Sequence, residues 1–499
     1  MRPTTSSCGS CANSAEPTYM TPDQIKAYPI DPKPAPDADR KAIARARLDS
    51  VGEGGERQQL GNRMAIGCVA LEITQRCNLD CTCCYLSEHS EAVRDLPLAE
   101  VFRRIEIIRD YYGEGTAVQI TGGDPTLRKK SELIEIVRRV RERGLRPSLF
   151  TNGIKATRPF LADLAAAGLA DVAFHVDLTQ ERKGYKTEID LNEIRQEYIE
   201  NARGLGISVF FNFTVTRESF HEIPELVRFY VRNADVVKTV SFQLQADTGR
   251  GTQRERDQII SQASVIAQVE EGAGIKLNFD SSPVGHSRCN RYTMTFRVNG
   301  KLYNALDDSA FVTHIVSSGD TKWDAYTKLS PMRAAFQWVK DHPGDLLPAI
   351  RYGFGLVRQG WRDLIAARGE VQRISFFLHN FMDACHLEED RIKACSFYTV
   401  TRDGPVSMCL ANAKRDQYIL QPVQVKSDDG SDRMWDPLTG KLMDERTPLL
   451  QIGTPLLQIE EKDPTQLPIK LLKGRSRQIV AARREEEKAS RRPGASEQA

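Results

Sequence analysis

The sequence of 499 residues lacks the features that mark membrane, secreted and nucleic-acid-binding proteins. No run approaches the roughly 18 consecutive apolar residues of a membrane-spanning helix, and residues 1–17 lack the apolar core of a secretory signal. Charge is balanced as well: 69 basic and 67 acidic side chains leave a net charge of +2, too little to attract nucleic acid at long range. The sequence therefore predicts a globular cytoplasmic protein with no nucleic-acid partner.

Cysteine is the residue type whose placement is informative. An odd number of cysteines, several of them clustered in an intracellular chain, indicates metal or cluster ligation rather than disulfides. The 11 cysteines stand at positions 8, 11, 68, 77, 81, 83, 84, 289, 385, 395 and 409.

Six short β-rich runs alternate with amphipathic helical runs between about residues 65 and 275. The predicted strands are Gly67–Thr74, Ala117–Thr121, Pro147–Thr151, Asp171–Val176, Ser208–Val215 and Val237–Gln245. The predicted helices are Leu98–Tyr112, Lys130–Arg143, Pro159–Ala167, Leu191–Leu205, Ile223–Asn233 and Arg254–Glu271. This alternation predicts an α/β fold with a parallel sheet and right-handed crossovers. Six units are too few for a closed eight-stranded barrel, so we expect an open one, with its chemistry at the carboxyl ends of the strands.

Composition predicts four units along the chain. We expect a flexible lead-in over residues 1–60 with one short helix at Asp37–Asp49, and the partial barrel over residues 61–275. A C-terminal α+β extension should occupy residues 276–465, followed by a basic tail over residues 466–499. Residues 466–493 carry nine Lys or Arg against three Glu.

The central motif is Cys77-x3-Cys81-x2-Cys84, directly after the first predicted strand. Three thiolates at this spacing can hold three irons of a [4Fe–4S] cluster and leave the fourth iron open to a small molecule. Two alternatives stay open. Cys83 could replace Cys84 as the third ligand, and the loop could be a zinc knuckle, although no second pair stands at zinc-finger spacing.

Two polar turns should lie at the same edge of the sheet as the cysteine loop. Thr121-Gly122-Gly123-Asp124-Pro125 follows the second strand, and Thr151-Asn152-Gly153 follows the third. Each alone is only a turn signal. Glycine lets backbone approach a ligand closely, and exposed carbonyls can accept hydrogen bonds from an ammonium group. Together with the cysteines, these turns predict a cofactor site.

With these motifs the sequence resembles the radical S-adenosylmethionine (radical SAM) superfamily, whose signature is C-x3-C-x2-C followed by a GGEP-like turn. The resemblance implies a partial (β/α)6 radical SAM barrel, with the cluster on Cys77, Cys81 and Cys84 and S-adenosylmethionine on the open iron. It also implies reductive cleavage to a 5′-deoxyadenosyl radical for C–H activation, fed by an electron donor such as a flavodoxin or ferredoxin. The S-adenosylmethionine contacts it implies are Gly122, Gly123, Asp124, Thr151, Asn152 and Tyr85.

Four further cysteines, Cys289, Cys385, Cys395 and Cys409, follow the predicted barrel. They could hold a second [4Fe–4S] cluster, or pack as small buried hydrophobes. The segments around them resemble the tetraether synthase-like branch of the superfamily, which implies a lipid chain or another small molecule with an unactivated carbon as substrate. Only one Cys-x2-Cys pair, Cys8 and Cys11, is present where archaeal members have a rubredoxin-like iron site, so we expect that site to be absent. A peptide maturase and a non-catalytic iron–sulfur carrier or scaffold are the alternative functions.

One predicted amphipathic helix bears on whether the protein contacts a membrane. Its apolar residues recur at helical spacing, and its arginines fall on another face: Ile350, Phe354, Val357, Trp361, Ile365, Arg351, Arg358 and Arg362. Such a stripe usually docks on its own domain, which is the prediction here. The alternative is peripheral contact with a membrane.

Overall fold

The structure is a computed structural model that describes residues 18–251, 256, 260–317, 331–426 and 430–443. Its centre is an 11-stranded sheet in the order β11-β10-β1-β2-β3-β4-β5-β6-β9-β7-β8. The first six strands are β1 Cys68–Thr74, β2 Ala117–Gly122, β3 Arg146–Thr151, β4 Asp171–His175, β5 Ser208–Val215 and β6 Val237–Leu244. They pair in parallel and in chain order, which confirms the predicted parallel sheet.

Helices follow these strands and cover the sheet. They are α4 Leu98–Tyr112, α5 Lys130–Glu142, α6 Arg158–Ala166, α7 Asn192–Ala202, α8 Ile223–Arg232 and α9 Gln262–Ala273. Helix α5 shows how sequence spacing produces this packing. Leu133, Ile136, Val137 and Val140 recur at intervals of three and four, so they share one face, and all four are fully buried in the core.

Strands from the C-terminal part extend the same sheet at both edges. They are β7 Asn290–Val298, β8 Lys301–Asn304, β9 Gln372–Asn380, β10 Phe397–Val400 and β11 Pro405–Ser407; β12 Val423–Lys426 and β13 Asp432–Trp435 form a separate pair. β10 pairs in parallel with β1, and β9 in parallel with β6. Because β8 and β11 are edge strands, the sheet does not close, which confirms the partial barrel with an α+β extension.

The N-terminal segment is packed rather than extended, in contrast to the predicted lead-in. It contains α1 Pro22–Ala27, α2 Arg40–Asp49 and the short kinked α3 Gln59–Asn62. Ile25 is fully buried in a cluster with Leu387 and Leu410, and Leu48 is fully buried beside Val284. These partners lie hundreds of residues away, so local composition did not reveal the packing. Cys8, Cys11 and the basic tail lie outside the described residues.

The remaining helices are α10 Ser309–Ser317, α11 Pro331–Asp341, α12 Leu346–Ala366, α13 Glu389–Lys393, α14 Met408–Ala413 and α15 Arg415–Ile419. Within the ranges that the structure describes, none is long and apolar enough to cross a bilayer. The prediction that the apolar stripe of α12 docks on its own domain is wrong, since Phe354, Trp361 and Ile365 are exposed.

Candidate cofactor site

The loop after β1 brings three thiols together at the carboxyl ends of the parallel strands. Burial raises the pKa of the Cys81 thiol, and the nearby Cys84, Asp177 and Cys77 raise it further. The backbone N–H of Leu79 donates to Cys77 Sγ at 3.4 Å. Hydrogen bonds to sulfur are a common way to tune thiolates that ligate iron–sulfur clusters. The three predicted cluster ligands are therefore neighbours in the fold.

A single metal ion and an iron–sulfur cluster make different demands on three thiols. Within the described part of the chain, no three His, Cys, Asp or Glu side chains are grouped so that they could hold one metal ion. A structural zinc site gathers four ligands at about 2.0–2.3 Å from a single atom. A [4Fe–4S] cluster instead binds each thiolate through a different iron, which keeps its ligands farther apart. The loop of Cys77, Cys81 and Cys84 can thus supply three thiolates to a cluster.

Gly122 and Gly123 form the turn after β2, and both lie against the base of the cysteine loop. Gly122 has a φ of +125°, and a Cβ on it would lie 1.9 Å from the carbonyl oxygen of Thr74. A Cβ on Gly123 would lie 2.0 Å from the carbonyl oxygen of Arg76. Glycine is needed at Gly122 for its φ, and at both positions because of the close approach. The two glycines therefore fix the turn directly on the cysteine loop.

Asp124 connects the turns after β2 and β3. It is fully buried, and its Oδ1 accepts hydrogen bonds from the backbone N–H of Thr126, at 3.0 Å, and from that residue's hydroxyl, at 2.5 Å. Its Oδ2 accepts from the hydroxyl of Thr151 at 2.8 Å and the N–H of Asn152 at 2.9 Å. A carboxylate has about four acceptor sites, and here the protein fills them. Asp124 and Thr151 thus fix the turns after β2 and β3 to each other.

Asn152 joins the third turn to the first. Its Nδ2 donates to the side-chain oxygen of Asn78 at 2.7 Å and lies 4.0 Å from Cys77 Sγ. Arg182 donates to the carbonyl oxygen of Asn152 at 2.6 Å. The polar turns and the cysteine loop therefore meet at one place, as predicted from their positions after successive strands.

Tyr85 is held between the second turn and the C-terminal helices. Its hydroxyl donates to the carbonyl oxygen of Gly122 at 2.5 Å, and the guanidinium of Arg415 lies 4.5 Å from its ring centre. Arg415 also pairs with Glu72 of β1 at 2.7 Å, and both side chains are buried. Breaking such a buried pair costs about 3–5 kcal/mol because one charge is left uncompensated. Tyr85 is thereby fixed against Gly122 and Arg415.

The segment after β6 lies on the other side of the cysteine loop. A Cβ on Gly249 would lie 2.3 Å from the carbonyl carbon of Tyr85, and one on Gly251 would lie 2.8 Å from the nitrogen of Cys84. Between these glycines, the buried side chain of Arg250 hydrogen-bonds to the thiol of Cys84. These contacts favour Cys84 as the third ligand.

The end of β4 carries a polar pair that the sequence analysis missed. His175 Nε2 lies 2.7 Å from Asp177 Oδ2, and that same oxygen accepts the N–H of Thr214 at 2.9 Å. Burial lowers the pKa of His175, but the Asp177 carboxylate outweighs this effect, and the pKa is raised. The sequence contains a signal for this pair. His175 and Asp177 stand at the end of the fourth predicted strand, just as the cysteine loop and the two polar turns stand at the ends of the first three.

A family model described as the Radical SAM superfamily matches residues 71–230. This range contains the cysteine loop and the turns after β2 and β3. Residues 71–230 belong to the radical SAM superfamily. The cofactors of this radical SAM domain are accordingly a [4Fe–4S] cluster and S-adenosylmethionine.

Several relatives are similar to the radical SAM domain. The 7,8-dihydro-6-hydroxymethylpterin dimethyltransferase of Methanocaldococcus jannaschii is 33% identical over 187 residues, which cover 36% of each chain. A probable GTP 3′,8-cyclase of Pyrococcus abyssi is 35% identical over 163 residues, 32% of this chain and 51% of that one. The PqqA peptide cyclase of Bradyrhizobium diazoefficiens is 28% identical over 179 residues, 35% of this chain and 46% of that one. The chain thus spans about a third to a half of these relatives' length.

Solved structures overlap the chain over a similar share. Streptococcus suis SuiB bound to S-adenosylmethionine aligns with a TM-score of 0.31 and 16% identity, covering 41% of this chain and 43% of that one.

Outside the radical SAM domain, three of the four C-terminal cysteines surround one cavity. Cys289, Cys395 and Cys409 line one small cavity. Arg391 Nε donates to Cys289 Sγ at 3.1 Å, and the N–H of Met382 donates to Cys409 Sγ at 3.4 Å. These are N–H···S hydrogen bonds of the kind that accompany thiolate ligands. The cavity is thus a candidate for a second cluster.

Cys385 does not belong to this group, which corrects the set of four cysteines. Its side chain is exposed, and its sulfur lies 3.2 Å from Nδ1 of His386. It does not line the cavity of the other three thiols. Sequence distance was misleading here, because Cys385 is only 10 residues from Cys395 but lies beyond the end of β9.

His379 lines the same cavity, and its neighbours fix its tautomer. Asn290 Nδ2 donates to the carbonyl oxygen of Val284 at 2.9 Å and to the Ser396 hydroxyl at 2.8 Å. Its Oδ1 therefore faces His379 Nδ1 at 2.9 Å and accepts a hydrogen bond from the Nδ1–H. Nε2 is left unprotonated, the form that binds metals. Burial lowers the pKa of His379 to about 3, so the ring stays neutral.

Proposed function

We propose that this protein is a radical SAM enzyme that activates a C–H bond of an unactivated carbon. The observation that carries the proposal is the meeting of the three thiols with the polar turns after β2 and β3. When bound on Cys77, Cys81 and Cys84, the cluster supplies the electron that cleaves S-adenosylmethionine to a 5′-deoxyadenosyl radical. An electron donor such as a flavodoxin or ferredoxin would reduce it.

The chain's own residues would bind and orient the cofactors. Asn152 and Arg250 lie beside Cys77 and Cys84, where a hydrogen bond and a positive charge stabilise thiolate ligands. The Asp124 hydrogen bonds fix the turns, so that the binding surface is formed before the ligand arrives. His175 lies at the same edge of the sheet, half-buried, where it could contact a substrate or hold a proton.

For the substrate, we propose a lipid chain, joined at an unactivated carbon or otherwise modified. The similarity of the C-terminal cysteine segments to tetraether synthase-like enzymes supports this choice. Peptide maturation is the second candidate, favoured by the similarity to PqqA peptide cyclases over 35% of the chain. The relatives named above act on a pterin, on GTP and on a peptide, so the shared domain does not select a substrate.

We further propose a second [4Fe–4S] cluster on Cys289, Cys395 and Cys409, with His379 as the fourth ligand. The three thiols and the imidazole line one cavity, and the hydrogen bond to Asn290 leaves Nε2 available. In the alternative, the three thiols pack as small buried hydrophobes. Such packing does not require the two N–H···S hydrogen bonds, which therefore support the cluster.

Formation of 5′-deoxyadenosine by the protein tests the proposed chemistry. Full-length protein, reconstituted with iron and sulfide without oxygen and reduced with dithionite, should form it from S-adenosylmethionine. The triple variant C77A/C81A/C84A should form none, whereas C68A, which removes a buried cysteine of β1 outside the loop, should keep the activity. No release by the wild-type protein under several reductants would support the carrier or scaffold instead.

The substrate is tested in cells that lack the protein. Mass spectrometry of total lipid extracts should show a lost or altered species, restored by the wild-type chain but not by C77A/C81A/C84A. An unchanged lipid profile together with an altered small peptide would favour the maturase.

A further inference from the structure

Helix α12, Leu346–Ala366, presents a row of large apolar side chains to solvent. The exposed fractions are 77% for Leu347, 57% for Ile350, 69% for Phe354, 45% for Val357, 49% for Trp361 and 69% for Ile365. The comparable apolar row of α5 is fully buried. Contiguous exposed apolar surface of this kind marks an interaction site more often than chance.

The opposite face of α12 is the one that docks on the protein. The ring of Tyr352 stacks on Phe311 with centroids 3.9 Å apart, and its hydroxyl donates to the carbonyl oxygen of Ala305 at 2.7 Å. About three turns further along, Asp363 accepts hydrogen bonds from Tyr303 at 2.5 Å and from Lys301 at 3.0 Å. The helix is therefore fixed in its rotation, and the apolar row is directed away from the protein.

Arginines adjoin the apolar row on one side. Successive residues turn by about 100° around a helix, so the part of the row before the kink at Gly360, from Leu347 to Val357, falls within about 80°. Beside this row lie Arg351, Arg358 and Arg362, on the helix surface between the row and the face that docks on the protein. From Leu346 to Arg368 the chain has four arginines and one acidic residue, Asp363. That acidic residue is paired with Lys301, so the exposed side of the helix is cationic.

We infer that this face of α12 binds the anionic surface of a phospholipid bilayer. A helix that lies in the headgroup layer buries an apolar row, often with Trp and Phe, and places Lys or Arg at the level of the phosphates. A second copy of the chain is a poorer occupant, because a two-fold contact would bring the same arginines of both copies together. The inference does not depend on the proposed chemistry.

Flotation of the purified full-length chain with vesicles tests the inference. Vesicles of phosphatidylcholine and phosphatidylglycerol in equal amounts should bind the wild-type protein, and vesicles of phosphatidylcholine alone should bind it less. The variant F354S/W361S/I365S should partition at least about tenfold less, because its apolar row can no longer be buried. The control I43S/I189S/M434S removes apolar side chains that are also exposed, at 48%, 37% and 39%, and should bind like wild type.

Three results would overturn the inference. One is no binding of the wild-type protein to the anionic vesicles. Another is binding of F354S/W361S/I365S to the anionic vesicles that equals wild-type binding. The basic tail over residues 466–499 would then account for the binding. The third is a larger oligomer for wild type than for that variant by light scattering, which would assign the face to a second copy. Release of 5′-deoxyadenosine should be the same in all variants, so failure here is distinct from failure of the proposed enzyme.

Discussion

The backbone N–H of Gly251 donates to the carbonyl oxygen of Cys84 at 3.0 Å. A second bond, from the N–H of Arg250 to the carbonyl oxygen of Leu86, measures 2.7 Å. Together they hold the segment after β6 on the cysteine loop and fix the Arg250 guanidinium, which is 3.3 Å from Glu91, next to the Cys84 thiol. A buried cation therefore stands beside one proposed ligand of the cluster.

Replacing Arg250 by Gln should lower the reduction potential of the first cluster. The guanidinium favours the more negative, reduced form, and hydrogen bonds to the ligating sulfurs are known to set cluster potentials. Redox titration followed by electron paramagnetic resonance should show the shift, with R250K in between. R228Q, which removes an exposed arginine of α8, should leave the potential unchanged. An unaltered potential in R250Q with normal iron content would contradict this role.

Replacing Gly122 by Ala should abolish cluster assembly. The new Cβ would lie 1.9 Å from the carbonyl oxygen of Thr74, the last residue of β1 and three residues before Cys77. Gly115 provides the matched control, because it also has a positive φ, +76°, but a Cβ there meets nothing within 4 Å. G115A should therefore cost only about 1 kcal/mol of backbone strain and keep its iron. Iron analysis and thermal unfolding of both variants test this difference; equal iron content would show that the close approach is unimportant.

Replacing Asp124 by Asn should destabilise the turns. An amide has a single acceptor oxygen, so about half of the four donors around Asp124 would lose their partner. Each buried unsatisfied donor costs about 1–3 kcal/mol. Urea unfolding should show a loss in that range or above it, together with weaker S-adenosylmethionine binding by calorimetry. D163N, at an exposed site on α6, is the control. Unchanged binding in a destabilised D124N would limit Asp124 to a purely structural role.

The sequence predicted the barrel strands closely because they are short, apolar and buried on both faces. β5, for example, begins at Ser208 and ends at Val215 as expected. The contacts that complete the site were not predictable. Arg415 and Glu72 are 343 residues apart, and no local pattern indicates that they pair. For α12, periodicity revealed an apolar row but not which face of the helix the protein covers.

Replacing Cys409 by Ala should remove the second cluster, whereas replacing Cys385 should not. Cys409 lines the cavity with Cys289 and Cys395, but the exposed Cys385 does not. In the C77A/C81A/C84A background, reconstituted protein should keep no more than about four irons per chain. Adding C385A should leave that number unchanged, and adding C409A should reduce it to near zero. If the C77A/C81A/C84A protein holds no iron, with or without C385A, the three thiols are structural.

Acidification should destabilise the cluster-free chain through His379. Burial lowers the pKa of this ring to about 3, whereas in the unfolded chain it is about 6.5. Its contribution to stability is therefore complete above about pH 6.5 and is lost as the pH falls toward 3, by an amount on the order of 4 kcal/mol. The free energy of unfolding should fall more steeply between about pH 6.5 and pH 4 in wild type than in H379Q. H221Q, at an exposed histidine, should follow wild type. Parallel slopes for wild type and H379Q would mean that the ring titrates normally and that burial does not hold it neutral.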